Sequence, residues 1–101
     1  MNFSYDNFLR QPTESDKCIK IFDNDGNLIY TINPFQISST MVKNNILMIN
    51  LRKGKVISIS FSSTNESKLA LDNLQSVIDI LLEKDPIFID KQIKNYIDGD
   101  D

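Results

Sequence analysis

The segment from Ser63 to Lys84 constrains this chain more than any other. Ala70, Leu71, Leu74, Val77, Ile78, Leu81 and Leu82 recur at intervals of three and four, which draws a wide apolar stripe along a helix. Lys68, Asp72, Gln75, Ser76, Asp79 and Glu83 fall on the opposite side. Ser63 and Glu66 have the S-x-x-E spacing of a capping box, whose side chains satisfy amides that the first turn leaves orphaned. Pro86 ends the run because it cannot continue a helix. The spacing predicts a helix over about residues 64–84, roughly 30 Å long at 1.5 Å per residue. A stripe of that length needs a partner of similar extent, and a sheet of about five strands is one.

The sheet is best read from "ILMINLRKGKVISISF". A two-residue loop at Lys53-Gly54 would set Ile49 opposite Ser58 and mix the apolar and serine faces. A three-residue loop, Arg52-Lys53-Gly54, pairs Ile49 with Ile57 and Leu47 with Ile59, and places Gly54 at a left-handed position. A slip of one residue turns every side chain over, so the hydrophobic pattern selects the three-residue loop. Leu47, Ile49, Ile57, Ile59 and Phe61 then share the core face. Ser58, Ser60 and Ser62 share the other, where Ser38 and Thr40 are also expected.

Upstream, "CIKIFDNDGNLIYTIN" places two runs rich in Ile, Phe and Tyr around Asn24-Asp25-Gly26, a hairpin signal. The same letters resemble part of a calcium loop. With Gly26 as the loop glycine, however, the first and twelfth ligand positions would be Ile21 and Ile32, which cannot bind a cation. After Pro34, "FQISSTMV" alternates Phe35, Ile37 and Met41 against Gln36, Ser38 and Thr40, as a half-buried strand does. The expected fold is α+β. It is an antiparallel β-meander with strands near 17–23, 27–33, 35–42, 45–51 and 55–62, packed by the long helix. A short helix over about 86–97 comes next, opened by Asp85 and Pro86 and striped by Ile89, Ile93, Tyr96 and Ile97. Residues 17–101 form the single domain and residues 1–16 an N-terminal arm. The arm holds Phe3, Tyr5 and Phe8, and it either folds back over its own sheet or docks on a neighbouring subunit.

At 101 residues the chain supports one modest core. No apolar run is long enough to span a bilayer, and the start lacks a signal-peptide core, so a soluble protein made in the cytoplasm is expected. Cys18 has no internal disulfide partner. The sequence contains no histidine, which removes Ser-His-Asp and Cys-His nucleophilic systems, the usual zinc sites and the commonest general base near neutral pH. Three glycines, at 26, 54 and 99, do not build a phosphate-cradling loop. The expectation is a non-enzymatic chain with no cofactor, no catalytic residue and no metal.

Charge is distributed unevenly: residues 1–25 sum to −2, residues 26–65 to +4 and residues 66–101 to −5. The middle segment has no acid, and Arg52, Lys53 and Lys55 cluster at one turn. That turn is either a solvated hairpin tip or a basic knob for an acidic partner or a phosphate backbone. Ile87 and Phe88 add more apolar surface near the end of the chain than a lone domain needs. The candidate partner contacts are therefore Phe3, Tyr5, Phe8, Arg52, Lys53, Lys55, Ile87 and Phe88.

Two likenesses bear on the role. The order of β-meander then helix, with "LRKGKV" before the last strand, looks like Whirly-type single-stranded DNA-binding proteins, and somewhat like the C-terminal half of pleckstrin-homology-like domains. Both are topological and transfer no site. "SFSS" followed by "ESKLALDNLQSVIDILL", within residues 45–84, resembles small virion proteins of tailed bacteriophages of the crAss-like type. That resemblance implies a structural protein that works through repeated subunit contacts and is incorporated in a virion. The alternatives are a single-stranded nucleic-acid-binding regulator that uses the basic turn, and a small inhibitor or adaptor of a host protein that uses the acidic C-terminal third. Nucleic acid is the less expected partner, because the net charge is −3 and the serine face lacks interleaved aromatics. No membrane partner is expected.

Overall fold

The structure, a computed structural model, describes residues 2–83. Five antiparallel strands pack against one long helix in an α+β arrangement: β1 (Ile19–Phe22), β2 (Leu28–Ile32), β3 (Ile37–Lys43), β4 (Ile46–Leu51), β5 (Val56–Ser60) and α1 (Thr64–Glu83). The expected short helix over 86–97 lies outside the described residues, as do Ile87 and Phe88.

The strands form two sheets, β1-β2 and β3-β4-β5, where the sequence suggests one meander. The break falls at Asn33–Gln36. Pro34 has no amide to donate to a ladder, and the Asn33 side chain accepts from the Phe35 amide at 2.9 Å, closing a single turn of 3-10 helix over Pro34–Gln36. The chain leaves that turn in a new direction and pairs with β4 instead of extending the first sheet. Phe35, expected on a core face, sits on the turn and is exposed.

The β4–β5 hairpin has the register its apolar pattern demands, with Ile49 opposite Ile57 and Leu47 opposite Ile59. Its loop is Arg52–Gly54, closed by a bond from the Leu51 amide to the Lys55 carbonyl at 2.7 Å. Gly54 is left-handed at φ +80°, and Lys53 shares that conformation at φ +72°. In β3 a bulge lies between Ile37 and Ser39. The extra residue reverses the alternation, so Thr40 and Val42 sit opposite Ile49 and Leu47 on the helix side, and Met41 turns outward. This corrects the expected placing of Met41 in the core and of Thr40 on the open face.

One core joins both sheets to α1. Ile19, Ile21 and Ile32 come from the first sheet, Leu47, Ile49 and Ile59 from the second, and Ala70, Leu74, Val77, Ile78 and Leu81 from the helix. The N-cap forms largely as the sequence indicates. The Ser63 hydroxyl accepts from the Glu66 amide at 3.1 Å, but the Glu66 carboxylate reaches one residue further back, to the amide and hydroxyl of Ser62. Ser67, fully buried, donates its hydroxyl to the carbonyls of Asn44 (2.9 Å) and Thr64 (2.7 Å), which fixes the helix start to the β3–β4 turn. Asn45 closes the same end by a side-chain bond to the Phe61 carbonyl at 2.8 Å.

The N-terminal arm folds back over its own domain. Phe8 is 0% exposed and meets Phe61 edge-to-face, with ring centroids 5.2 Å apart. Its carbonyl accepts from the Phe22 amide at 2.9 Å, and Leu9 bridges Ile21, so the arm runs alongside β1. Asn73 on α1 holds the Tyr5 carbonyl at 2.8 Å.

Candidate interaction surface

Helix α1 covers one face of the three-stranded sheet and leaves the other open among the described residues. Strand geometry sends alternate side chains to opposite faces, so the open face can be read from the ladder. Its three cross-strand rows are Lys43-Ile46-Ser60, Met41-Met48-Ser58 and Ser39-Asn50-Val56. Met41 is 46% and Val56 49% exposed, and Ile46 and Met48 are half-buried between them. Of the serines expected here, Ser58 and Ser60 stand on β5, and on β3 the bulge puts Ser39 in this face's ladder. β4 and β3 add a thioether and aliphatic strip that sequence reasoning missed. The signal was available: "ILMINL" is apolar at both parities, as in strands covered on both faces.

The polar groups of this face pair with one another. Asn50 donates its side-chain amide to the Ser39 hydroxyl at 3.0 Å, and Ser38 donates to the Asn50 carbonyl at 3.0 Å. These bonds hold the bulged end of β3 against β4 and set a polar margin beside the apolar strip. Beyond that margin projects the loop carrying Arg52, Lys53 and Lys55, all exposed. The three cations therefore do cluster in space. Lys43 lies at the opposite end of β3 and does not join them.

The aromatic candidates are placed elsewhere. Phe8 is wholly enclosed and cannot reach a neighbouring subunit, which removes it from the contact set. Phe3 and Tyr5 are half-buried and pack against the same core. Tyr30 also lies against the core, and Phe22 carries the Arg10 guanidinium 3.9 Å from its ring centroid. One face of the ring is thereby taken up as a cation–π partner. Phe35, exposed on the turn before β3, precedes Ile37, the cross-strand partner of Leu51, so one ring stands at the end of the sheet that carries the basic loop, fewer than the interleaved aromatics of a single-stranded nucleic-acid platform.

Two other places carry polar groups. A cleft of about 250 Å³ between the arm and β1 is lined by Arg10, Pro12, Cys18, Lys20 and Phe22 among others. At the β1–β2 turn, buried Asp23 accepts from the amides of Asp25 (3.0 Å) and Asn27 (2.9 Å) and from the Asn27 side chain (3.3 Å). The Asn27 amide holds the Asp23 carboxyl below its ordinary value against the opposing effect of burial. Gly26, at φ +84°, supplies the left-handed step the turn needs. Asp23 is thus a structural clasp whose oxygens are occupied. Among the described residues no group of three or more His, Cys, Asp or Glu stands together as metal ligands would, and no helix is long and apolar enough to cross a membrane. Comparison with family models, with curated proteins and with solved structures finds no match.

Proposed function

We propose that this chain is a non-catalytic interaction protein, a subunit that assembles through the open face of its three-stranded sheet. One observation carries the reading. Ile46, Met48 and Met41 adjoin across β4 and β3, and Val56 stands exposed on β5 beside Asn50, on a face that no described element covers, bordered by a hydrogen-bonded polar margin and a basic loop. An apolar centre with a polar rim is the anatomy of an interface core, and methionine adapts well to a partner's surface. The buried carboxylate, Asp23, is saturated by loop amides, so it is not free to act as an acid or base. The phage particle implied by the resemblance over residues 45–84 is a setting in which repetition would cover such a face, and it belongs to this proposal.

Molar mass of the full chain by light scattering, over a range of concentration and salt, tests the reading. Assembly should grow with concentration, persist at high salt and be lost in Met48→Lys, because apolar burial is insensitive to ionic strength whereas phosphate binding weakens steeply. A chain that stays at protomer mass throughout, and binds oligonucleotide with a steep salt dependence through Arg52, Lys53 and Lys55, would overturn it.

A further inference from the structure

The open face and the end of the chain fit each other. Two side-chain bonds set the direction of α1. Ser67 holds Asn44 at the β3–β4 turn, and Gln75 donates to the Thr40 hydroxyl at 2.7 Å. Eight residues of helix, about 12 Å, therefore run beside four residues of strand, about 13 Å. Eight more bring Glu83 about level with Ile37 and Leu51, which are cross-strand partners. The chain thus leaves α1 at the end of the sheet from which the Arg52–Gly54 loop projects. Residues 84–101 continue from there, with Ile87, Phe88, Ile89, Ile93, Tyr96 and Ile97, and with five aspartates against three lysines.

We infer that residues 84–101 of one copy occupy the open sheet face of a second copy, with their aspartates against Arg52, Lys53 and Lys55. The inference rests on the reading of the open face as a subunit interface and names its occupant. Charge and apolar character both match: the loop bears three cations without an acid, and the open face offers Ile46, Met48 and Val56 to the isoleucines. Reach decides between the chain's own face and a neighbour's. α1 lies one layer, about 10 Å, to one side of the sheet, and a segment on the open face lies about 10 Å to the other side. With residues 86–97 helical, three steps of chain from Glu83 to Pro86 would have to span that gap, and fully extended they cover about 11 Å. A helical segment opened by Pro86, as the sequence predicts, therefore cannot seat on its own open face. A second copy removes the restriction. The contact joins two different surfaces, so it is heterologous: each copy gives a tail and receives one, and a ring or filament results.

Complementation between two full-length variants tests this. Met48→Lys with Val56→Lys spoils the face and keeps the tail. Ile93→Asp with Ile97→Asp spoils the tail and keeps the face. Light scattering should return protomer mass for each alone, with self-association weakened at least about tenfold in each, since a buried anchor carries more than 1.4 kcal/mol. The equimolar mixture should return twice the protomer mass, one intact face holding one intact tail. A mixture that stays at protomer mass sinks the inference. So does a tail variant that assembles like the unaltered chain, although the open face would then remain an interface, met by another face. A milder pair of surface charge reversals guards against misfolding. Arg52→Glu/Lys53→Glu sets an acidic loop against acidic tails, and Asp98→Lys/Asp100→Lys sets basic tails against a basic loop. Each alone should assemble less than the unaltered chain at low salt, and the mixture, in which opposite charges meet, should recover. Equal assembly of the two variants alone and mixed would count against the tail as occupant. An unaltered chain that never assembles defeats the parent proposal as well.

Discussion

Replacing Phe8 by alanine probes whether the N-terminal arm belongs to the fold. The ring is fully buried, packs edge-on against Phe61 at 5.2 Å, and belongs to the core cluster that the arm shares with both sheets and α1. Removing such a ring costs about 3–5 kcal/mol through lost transfer energy and the cavity left behind. A domain of this size has about 5–15 kcal/mol in total, so the substitution consumes a large share of it. With a urea m-value of about 1–3 kcal/mol/M, the unfolding midpoint followed by far-UV circular dichroism should fall by more than about 1 M at unchanged m. The melting temperature should drop by roughly 12 °C or more. Phe3→Ala, which loses a half-buried ring, serves as the control and should cost roughly 1 kcal/mol. A loss below about 1 kcal/mol for Phe8→Ala would refute the argument, because it would mean the arm contributes nothing to the protomer.

Asp23→Asn should destabilise the chain at neutral pH, by an amount that shrinks as the pH falls. The native carboxyl is held below its ordinary value of 3.8, so its stabilising effect is complete above that value and disappears as the pH drops through the lower native one. Urea midpoints of the two proteins should converge in acid, and a constant gap from neutral pH downward would contradict the clasp. Ser63→Ala removes the acceptor for the Glu66 amide and should cost about 1 kcal/mol, read as a lower midpoint with native helix content retained. No change in midpoint would show that the cap is idle.

Elements with strong local signals were legible in the amino-acid order. The apolar stripe and the Ser63–Glu66 spacing located α1 to within a residue of Glu83, and face segregation alone selected the three-residue β4–β5 loop. The division into two sheets was not legible, because it turns on where the chain points after Pro34, and a missing amide ends a ladder without saying what replaces it. Nor was the bulge at Ser38, since serine at 38 and 39 leaves the alternation ambiguous where parity changes. That ambiguity concealed Met41, and with it the apolar strip. The three cations of the basic loop were found because they adjoin in sequence. The face beside them was missed because its rows are drawn from three strands. The arm's fate was open because aromatics announce burial without naming the surface that buries them.

The seat of Phe8 also bears on the order in which the molecule comes together. β3, β4, β5 and the start of α1 succeed one another in the chain and close short loops, tied by Asn45 to Phe61 and Ser67 to Asn44. Such neighbours meet quickly. Tyr5 and Asn73 are 68 positions apart, and their meeting requires almost everything between them to be in place. During synthesis the arm's aromatics leave the ribosome with β1 soon to follow, but before Phe61 and α1, which complete the surface they cover. The arm, made before the surface it closes, is the fold's latch.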